Sequence, residues 1–146
     1  MKLTPSLEDY LKTILLLEKK KQSVRVTDIA AMMDVRMPSV TEALKHLREM
    51  SLVNYKKKAF INLTDEGMKI AECILIRRMS LLRFFKDVLR LNDALAEDQA
   101  CMIEHSIDHE TAVRLSALTD WIEESLFEQP NFSTSEWSSR LREKIL

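Results

Sequence analysis

Three side chains of the kind that bind transition metals occur within five residues, at Cys101, Glu104 and His105. They lie in residues 93–107, a segment without proline or glycine that we expect to be helical. Residues three and four apart share one face of a helix, so the thiol, carboxylate and imidazole would project together. Borderline transition metals prefer such donors. The spacing predicts a metal site, although a buried cysteine and a packed histidine would produce the same pattern.

A cluster on one helix needs a further ligand from elsewhere in the chain to complete a typical metal site. Asp9, on the first predicted helix, is the best-placed candidate. It lies opposite the main apolar stripe, but Leu16 and Leu17 widen the apolar surface and indicate protein on two sides of this helix. A carboxylate buried in this way needs a partner or a metal. The alternative is a solvated first-turn acid, which the helix dipole favours.

The composition of the chain indicates which elements position these residues. The 146 residues are 46% hydrophobic and 31% charged, which is typical of a folded globular protein and not of a disordered one. One glycine and three prolines favour long helices over a β-sandwich or barrel. We expect a cytoplasmic protein without a membrane span, because charges interrupt every apolar run and two cysteines are too few for a disulfide framework.

The first half of the chain has the pattern of a winged helix. A helix begins at Thr4-Pro5, and a short β-like run, residues 24–26, follows it. Two short helices joined by a tight turn come next, the second opening at residues 37–39, which is typical of a helix-turn-helix. Two strands, residues 52–55 and 60–63, then flank a lysine-rich turn.

The second half is predicted to be entirely helical. A long helix runs from Thr64-Asp65-Glu66 to about Leu89, the segment with the three metal-binding side chains follows, and Asp108 caps a helix extending to about Phe127. We therefore predict a winged-helix domain at 1–66, a helical domain at 67–127 and a tail at 128–146. The tail either docks as a helix through Trp137, Leu141 and Ile145 or is mobile.

The predicted helix-turn-helix and wing carry polar and basic residues suited to nucleic acid. Residues 1–66 have a net charge of +3 and residues 67–146 of −4. Side chains early in the second short helix would read bases, whereas the wing lysines would contact phosphates, unless they are only a solvated turn. The candidate DNA-binding residues are Thr27, Arg36, Pro38, Ser39, Thr41, Glu42, Lys45, Lys56, Lys57 and Lys58.

Motifs of the common enzyme classes do not occur in this sequence. It contains no glycine-rich phosphate loop, no HExxH and no nucleophile with a recognisable base. A metal hydrolase would need an open water position and a base, and nothing here specifies either. We therefore expect a protein that is not an enzyme.

Five motifs in order make the chain resemble a known family. They are residues 4–10 (TPSLEDY), 26–30 (VTDIA), 38–41 (PSVT), 63–67 (LTDEG) and 101–105 (CMIEH). Together they resemble the diphtheria toxin repressor and manganese transport regulator family, over about residues 3–125. The resemblance implies a mainly α protein with a small β wing: an N-terminal winged helix-turn-helix followed by an all-helical metal-binding and dimerisation domain, the short two-domain type. It also implies a homodimer that binds double-stranded operator DNA.

Carried over by position, the resemblance implies a metal site formed by Asp9, Cys101, Glu104 and His105. The second metal position of the family departs from its pattern, since this chain has Lys12, Met79 and Arg83 where ligands are usual or frequent. Met79 could still ligate through its thioether, and Glu97 could add an oxygen one turn before Cys101. We predict one metal per subunit, because Lys12 and Arg83 would repel a second cation.

The expected effector is Fe²⁺, with Mn²⁺ as the second choice and Co²⁺, Ni²⁺ or Zn²⁺ as ions that would bind in vitro. A thiolate ligand moves preference away from Mn²⁺ towards the later metals, and availability in cells favours iron. The predicted function is repression of metal-uptake genes by the metal-bound dimer. Two alternatives are a winged-helix regulator that has lost metal control and a metal-storage or delivery protein.

Overall fold

A computed structural model describes residues 3–21, 23–56 and 59–143. The chain divides into two compact units, Met1–Leu75 and Ile76–Leu146. Its elements are α1 (Pro5–Lys20), α2 (Val26–Met33), α3 (Met37–Glu49), β1 (Val53–Asn54), β2 (Asn62–Leu63), α4 (Asp65–Arg83), α5 (Asp93–Ile103), α6 (His109–Ile122) and α7 (Thr134–Glu143). Single π-helical turns, Phe84–Val88 and Glu123–Phe127, extend α4 and α6. The predicted fold class, mainly α with a small β wing, is confirmed. None of the helices described is long and apolar enough to cross a membrane.

Helix α1 begins where the sequence predicts. Thr4 Oγ1 accepts a hydrogen bond from the Leu7 N–H at 3.3 Å, and Pro5 occupies the first helical position, where a missing N–H does no harm. The buried face of α1 forms the centre of the first unit's core together with α2, α3, the wing strands and the first half of α4. The fully buried side chains of this core include Leu11, Ile14, Val24, Ile29, Val40, Leu44, Leu47, Ile61 and Ile74.

Helices α2 and α3 form the predicted helix-turn-helix. Asp34 ends α2 in the left-handed region, with φ 52°, and its N–H donates to the Ala30 carbonyl. Aspartate tolerates this conformation better than most residues because its short polar side chain can hydrogen-bond locally. The turn leads into α3, which begins at Met37 with Pro38 in its first turn.

The wing is an antiparallel pair in which Val53 lies opposite Leu63 and Asn54 opposite Asn62. Its strands are shorter than predicted. The Leu52 N–H bonds back to Leu47 at the end of α3, and Ile61 forms its bridge with Val24. A carboxylate of α1 steadies the wing, because Glu18 Oε1 accepts from the Leu63 N–H at 2.9 Å.

Helix α5 of the second unit ends at Ile103, whereas the sequence predicted a helix to Ile107. The Ser106 N–H bonds to the Ile103 carbonyl at 2.8 Å and closes a tight turn. Asp108 then caps α6 as predicted, its Oδ1 accepting from the Thr111 N–H at 2.7 Å. The chain leaves α5 early because it must reach this cap in an extended conformation.

The tail docks as helix α7 on the end of the long helix, which is the first of the two predicted possibilities. Trp137 Nε1–H donates to the Val88 carbonyl at 2.7 Å, and its ring packs edge-on against Phe127 with centroids 6.1 Å apart. Leu141 is half-buried. Ile145, which was also predicted to dock, lies outside the described residues.

Candidate metal centre and nucleic-acid interface

Two of the predicted metal ligands lie side by side in the turn that follows α5. Glu104 caps the helix and its side chain is fully buried. Its Oε1 lies 3.5 Å from His105 Nε2, and the imidazole is 11% exposed. A carboxylate and an imidazole held together in this way are a donor pair that suits Fe²⁺, Mn²⁺ and the later divalent metals. The local geometry of the second unit therefore fits a metal site.

The same carboxylate also forms an ion pair with an arginine. Arg78 Nη1 donates to Glu104 Oε2 at 3.0 Å, and Arg78 Nη2 donates to Glu97 Oε2 at 2.5 Å. Burial opposes the charge on Arg78, but its hydrogen bond with Glu104 and the charges of Glu104, Glu97 and Cys101 raise its pKa on balance. Arg78 is therefore a permanent cation beside three of the predicted ligand residues.

The other predicted ligands of the second unit are exposed or already form ion pairs. They are Cys101, Glu97 and Met79. Cys101 is exposed. Among the described residues, a cluster of ligand atoms that lie within 4.8 Å of one another contains Glu104 and His105 but not Cys101. Because α5 ends at Ile103, the thiol lies on the helix, whereas Glu104 caps the helix and His105 follows it. Glu97 pairs with Arg78 and lies 3.6 Å from Lys86 Nζ, and the Met79 side chain is exposed.

Asp9, in the first unit, lies on α1 with its side chain 34% exposed. Its Oδ1 accepts a hydrogen bond from Lys12 Nζ at 2.8 Å, one helical turn away. Lys12, which departs from the family pattern, is thus an ion-pair partner of a predicted ligand. Arg83, the other charged departure, pairs instead with Asp120 and Glu123 and links α4 to α6 within the second unit.

The outer surface of α3 carries the candidate base-reading residues. Val40, Ala43, Leu44 and Leu47 are buried, which leaves Pro38, Ser39 and Glu42 exposed and Thr41 partly so. The Thr41 hydroxyl donates to the Met37 carbonyl at 3.0 Å, and Lys45 Nζ lies 3.3 Å from Glu42. Exposed ion pairs of this kind are weak, so Lys45 can exchange its partner for a phosphate.

The other candidate contacts flank this surface. Thr27 and Arg36 are exposed at or just before the first turns of α2 and α3, and Lys56 is exposed after β1. Lys57 and Lys58 lie outside the described residues. Backbone N–H groups at helix starts, together with nearby basic side chains, suit phosphate oxygens.

The structure places further residues beside the predicted sites, and the sequence prediction did not include them among its site residues. Arg48 and Tyr55 line a hollow with Thr41 and Lys45, between α3 and the first wing strand. Arg78 is the larger omission. The sequence does contain a signal for it: residues 74–82 (ILIRRMSLL) are mostly apolar, and two adjacent arginines in such a run require partners.

Two family models match the chain in succession. "Iron dependent repressor, N-terminal DNA binding domain" matches residues 2–60, and "Iron dependent repressor, metal binding and dimerisation domain" matches residues 64–132. The chain is 30% identical over 114 residues to the uncharacterized HTH-type transcriptional regulator MJ0568 of Methanocaldococcus jannaschii, covering 77% of this chain and 91% of that protein.

A second relative is the HTH-type transcriptional regulator MntR of Oceanobacillus iheyensis, 32% identical over 121 residues, with 83% of this chain and 82% of that protein covered. The solved structure of the manganese regulator SloR superimposes with a TM-score of 0.70 and 28% identity. That match covers 82% of this chain and 55% of the SloR chain, so this chain spans about half the length of SloR. The chain therefore belongs to the iron-dependent repressor (diphtheria toxin repressor and manganese transport regulator) family of metal-dependent transcriptional regulators.

Proposed function

We propose that this protein is a metal-activated repressor that binds operator DNA as a homodimer. The observation that carries the proposal is the pairing of Glu104 with His105 in a chain that also has the polar, exposed outer surface of a recognition helix. The matches to a DNA-binding domain and to a metal-binding and dimerisation domain support it.

Asp9 would complete the metal site from the first unit, with Cys101, Glu104 and His105 as ligands from the second. Support comes from the donor types, from the motif matches at residues 4–10 and 101–105, and from the Glu104–His105 geometry. A ligand set drawn from both units makes metal binding and DNA binding favour the same arrangement of the chain. Each must then strengthen the other by the same factor, as linkage requires.

The identity of the metal depends on whether Cys101 enters the site. With a thiolate ligand, Fe²⁺ is the first choice and the later metals compete in vitro. With only oxygen and nitrogen ligands the preference shifts towards Mn²⁺, the metal named for SloR. Because the thiol is exposed, it can be replaced by Ser without disturbing the core, and the change in Fe²⁺ over Mn²⁺ selectivity reports its role.

DNA contacts fall into two groups under this proposal. Ser39, Thr41 and Glu42 would read base edges in the major groove, with Pro38 against a thymine methyl. Thr27, Arg36 and Lys45, with Lys56, Lys57 and Lys58 of the wing, would contact phosphates and make affinity salt-dependent. Two copies would place their recognition helices in successive major grooves.

Removal of metal is expected to weaken operator binding by about 5–150-fold, the usual range for coupling between two sites. The measurement is fluorescence anisotropy on DNA duplexes selected from a randomised library, with Fe²⁺ under anaerobic conditions, then with Mn²⁺, then with excess chelator. Sedimentation in the chelator should still show a folded dimer. Equal affinity with and without metal would contradict the proposal, as would the absence of salt-dependent DNA binding under every condition.

A second candidate is a winged-helix regulator that no longer needs metal. Two ion pairs favour it: Lys12 is bonded to Asp9, and Arg78 to Glu104, so that protein cations already meet both carboxylates. The same titration separates the two candidates, because DNA binding that is undiminished in chelator would support this one.

The second unit exposes several large apolar side chains, which we propose form the dimer surface. Val113, Leu118 and Trp121 on α6 are 46%, 46% and 59% exposed, and Leu95 and Met102 on α5 are 42% and 68% exposed. Large apolar side chains that stay exposed in the single chain are typical of interfaces when they form a contiguous surface. The match of residues 64–132 to a metal-binding and dimerisation domain supports a second copy of this chain as the occupant.

Trp121→Glu is expected to weaken dimerisation by at least about 30-fold, since buried tryptophans at interfaces often contribute 2 kcal/mol or more. Sedimentation velocity over a range of protein concentrations measures the effect. Ser139→Glu, which adds the same charge at an exposed position of α7, is the control and should remain dimeric. A variant with the wild-type dimer constant would place the interface elsewhere.

A further inference from the structure

A hollow of about 370 Å³ lies between helix α3 and the wing. Three of the side chains that line it, Thr41, Lys45 and Arg48, are four and three residues apart and so share one face of α3. The fourth, Tyr55, directly follows strand β1. None of these four residues is acidic, so the hollow combines two positive charges with two hydroxyl groups.

Two hydrogen-bond donors of this hollow are not used within the described part of the chain. Tyr55 is 8% exposed, and neither its hydroxyl nor the Arg48 guanidinium forms a hydrogen bond or ion pair with any residue that the structure describes. The hydroxyl of a buried tyrosine usually finds a partner, and a guanidinium has five N–H donors and no acceptor. These donors therefore indicate an anionic ligand with several acceptor oxygens.

Lys45 can join these donors because its own ion pair is weak. Its Nζ lies 3.3 Å from Glu42 Oε2, and the two side chains are 52% and 61% exposed. Exposed pairs of this kind contribute little to stability, so a phosphate can replace the carboxylate as the partner of Lys45. Glu42 and Glu49, which are acidic residues on the outer surface of α3, do not line the hollow. The side of α3 that faces the wing is therefore its basic side.

The position of the hollow matches the course of a DNA strand. In the proposed function, α3 lies in the major groove and the wing lies beside it. One backbone strand separates the major groove from the minor groove, so a hollow between this helix and the wing faces the phosphates of that strand. Charge complementarity and continuity with the surface proposed to bind DNA thus favour the same ligand.

We infer that this hollow binds one phosphate of the operator backbone in each half-site, with Arg48, Lys45 and the Tyr55 hydroxyl as hydrogen-bond donors to its oxygens. The inference rests on the proposed function, because the ligand is the DNA of that function. It deepens the proposal by adding Arg48 and Tyr55, neither of which is among the proposed contacts. Contacts to phosphate fix the position of the protein on the duplex and do not read its sequence.

The salt dependence of DNA binding tests the charge of Arg48. Fluorescence anisotropy with the full chain, Mn²⁺ and the selected operator duplex is repeated over a series of salt concentrations. Arg48→Gln is expected to make the plot of log Kd against log salt concentration less steep by about two for the dimer, one for each copy of the arginine. At 0.1 M salt the two lost contacts should weaken binding by about 60-fold, by a similar factor for every duplex sequence. Arg142→Gln removes the same charge at an exposed position of α7 and should bind like wild type.

Tyr55→Phe separates a contact with DNA from support of the fold. Loss of a hydrogen bond to a charged phosphate should weaken DNA binding by at least about 10-fold, and the salt slope should stay the same because the hydroxyl is neutral. The urea unfolding midpoint of the DNA-free protein should not fall, since the hydroxyl has no partner among the residues that the structure describes. Unchanged DNA affinity in this variant would overturn the role of Tyr55 in the site.

Duplexes in which one phosphate at a time is replaced by a neutral methylphosphonate locate the contact. At one position of each half-site, the replacement should weaken binding of wild type and have no further effect on Arg48→Gln, because both changes remove the same interaction. Losses that add at every position would mean that Arg48 contacts none of these phosphates, and would overturn the inference. Circular dichroism establishes that each variant is folded.

Inorganic phosphate titrated into the DNA-free protein distinguishes the DNA backbone from a soluble anion. Saturable heat that Arg48→Gln abolishes, with unchanged DNA affinity in that variant, would assign the hollow to a soluble phosphate compound and overturn the inference. Equal affinity and equal salt slope in Arg48→Gln and wild type would also overturn it, and would leave metal-dependent DNA binding intact. Wild-type protein without salt-dependent DNA binding would overturn the proposed function as well.

Discussion

Glu104→Gln is expected to weaken Mn²⁺ binding by at least about 100-fold and to abolish the metal dependence of DNA binding. Residues that merely support a ligand already contribute 10- to 100-fold in affinity, and a ligand itself contributes more. Gln keeps the shape of the buried side chain, and its oxygen can still accept from Arg78, so the fold should survive. Calorimetry with Mn²⁺ measures the first effect, and anisotropy with and without metal measures the second.

Replacement of Asp9, the proposed metal ligand in the first unit, should likewise abolish the metal dependence of DNA binding. Asp9→Asn keeps the side-chain size on α1 and is expected to lose the metal response of DNA binding, although the proposed DNA contacts do not include Asp9. Glu110→Gln neutralises a carboxylate of α6 that is 73% exposed, and should behave as wild type in both measurements. A wild-type metal response in Asp9→Asn would show that Asp9 is not a metal ligand. Unchanged Mn²⁺ affinity in Glu104→Gln would show the same for Glu104.

Gly67→Ala should destabilise the first unit by about 3 kcal/mol, the upper end of the usual cost of overpacking a core. A Cβ at Gly67 would lie 1.9 Å from the Leu52 carbonyl oxygen and 2.9 Å from its carbon. These atoms belong to the backbone and cannot rotate away. The same carbonyl accepts from the Thr64 N–H at 3.0 Å, so any shift would also disturb the junction of the wing and α4.

Urea unfolding followed by circular dichroism measures this loss as a lower midpoint with little change in slope. Lys69→Ala, at an exposed position of α4 two residues further on, is the control and should change the unfolding free energy by less than about 0.5 kcal/mol. Equal midpoints for Gly67→Ala and wild type would mean that α4 can move away from Leu52 without cost.

Elements with local signals were predicted well from the sequence. The start of α1 is set by Thr4-Pro5, and the start of α6 by Asp108, and both caps form as predicted. Capping depends on a side chain and a backbone N–H three residues apart, so short-range sequence is sufficient to specify it. The helix-turn-helix was predictable for a similar reason, because helical periodicity on either side of a short turn is visible in the residues themselves.

Element ends that depend on distant partners were predicted less well. The wing strands are shorter than predicted, because the N–H groups of Leu52 and Ile61 bond to Leu47 at the end of α3 and to Val24. Helix α5 ends at Ile103 because a tight turn must precede the cap of α6. The end of α5 does not follow from helix propensity, since residues 104–107 contain no helix breaker.

The sequence by itself determined the family and the fold class and predicted the ligand types, because the order of motifs and helical spacing are properties of the chain order. Only the tertiary structure decided which charges meet. Arg78 pairs with Glu97 and Glu104, which lie 19 and 26 residues further along the chain. No periodicity within one helix relates such positions; packing α4 against the end of α5 does. The metal ligand Glu104 proposed from the sequence thus has a fixed cationic neighbour that only the folded chain reveals.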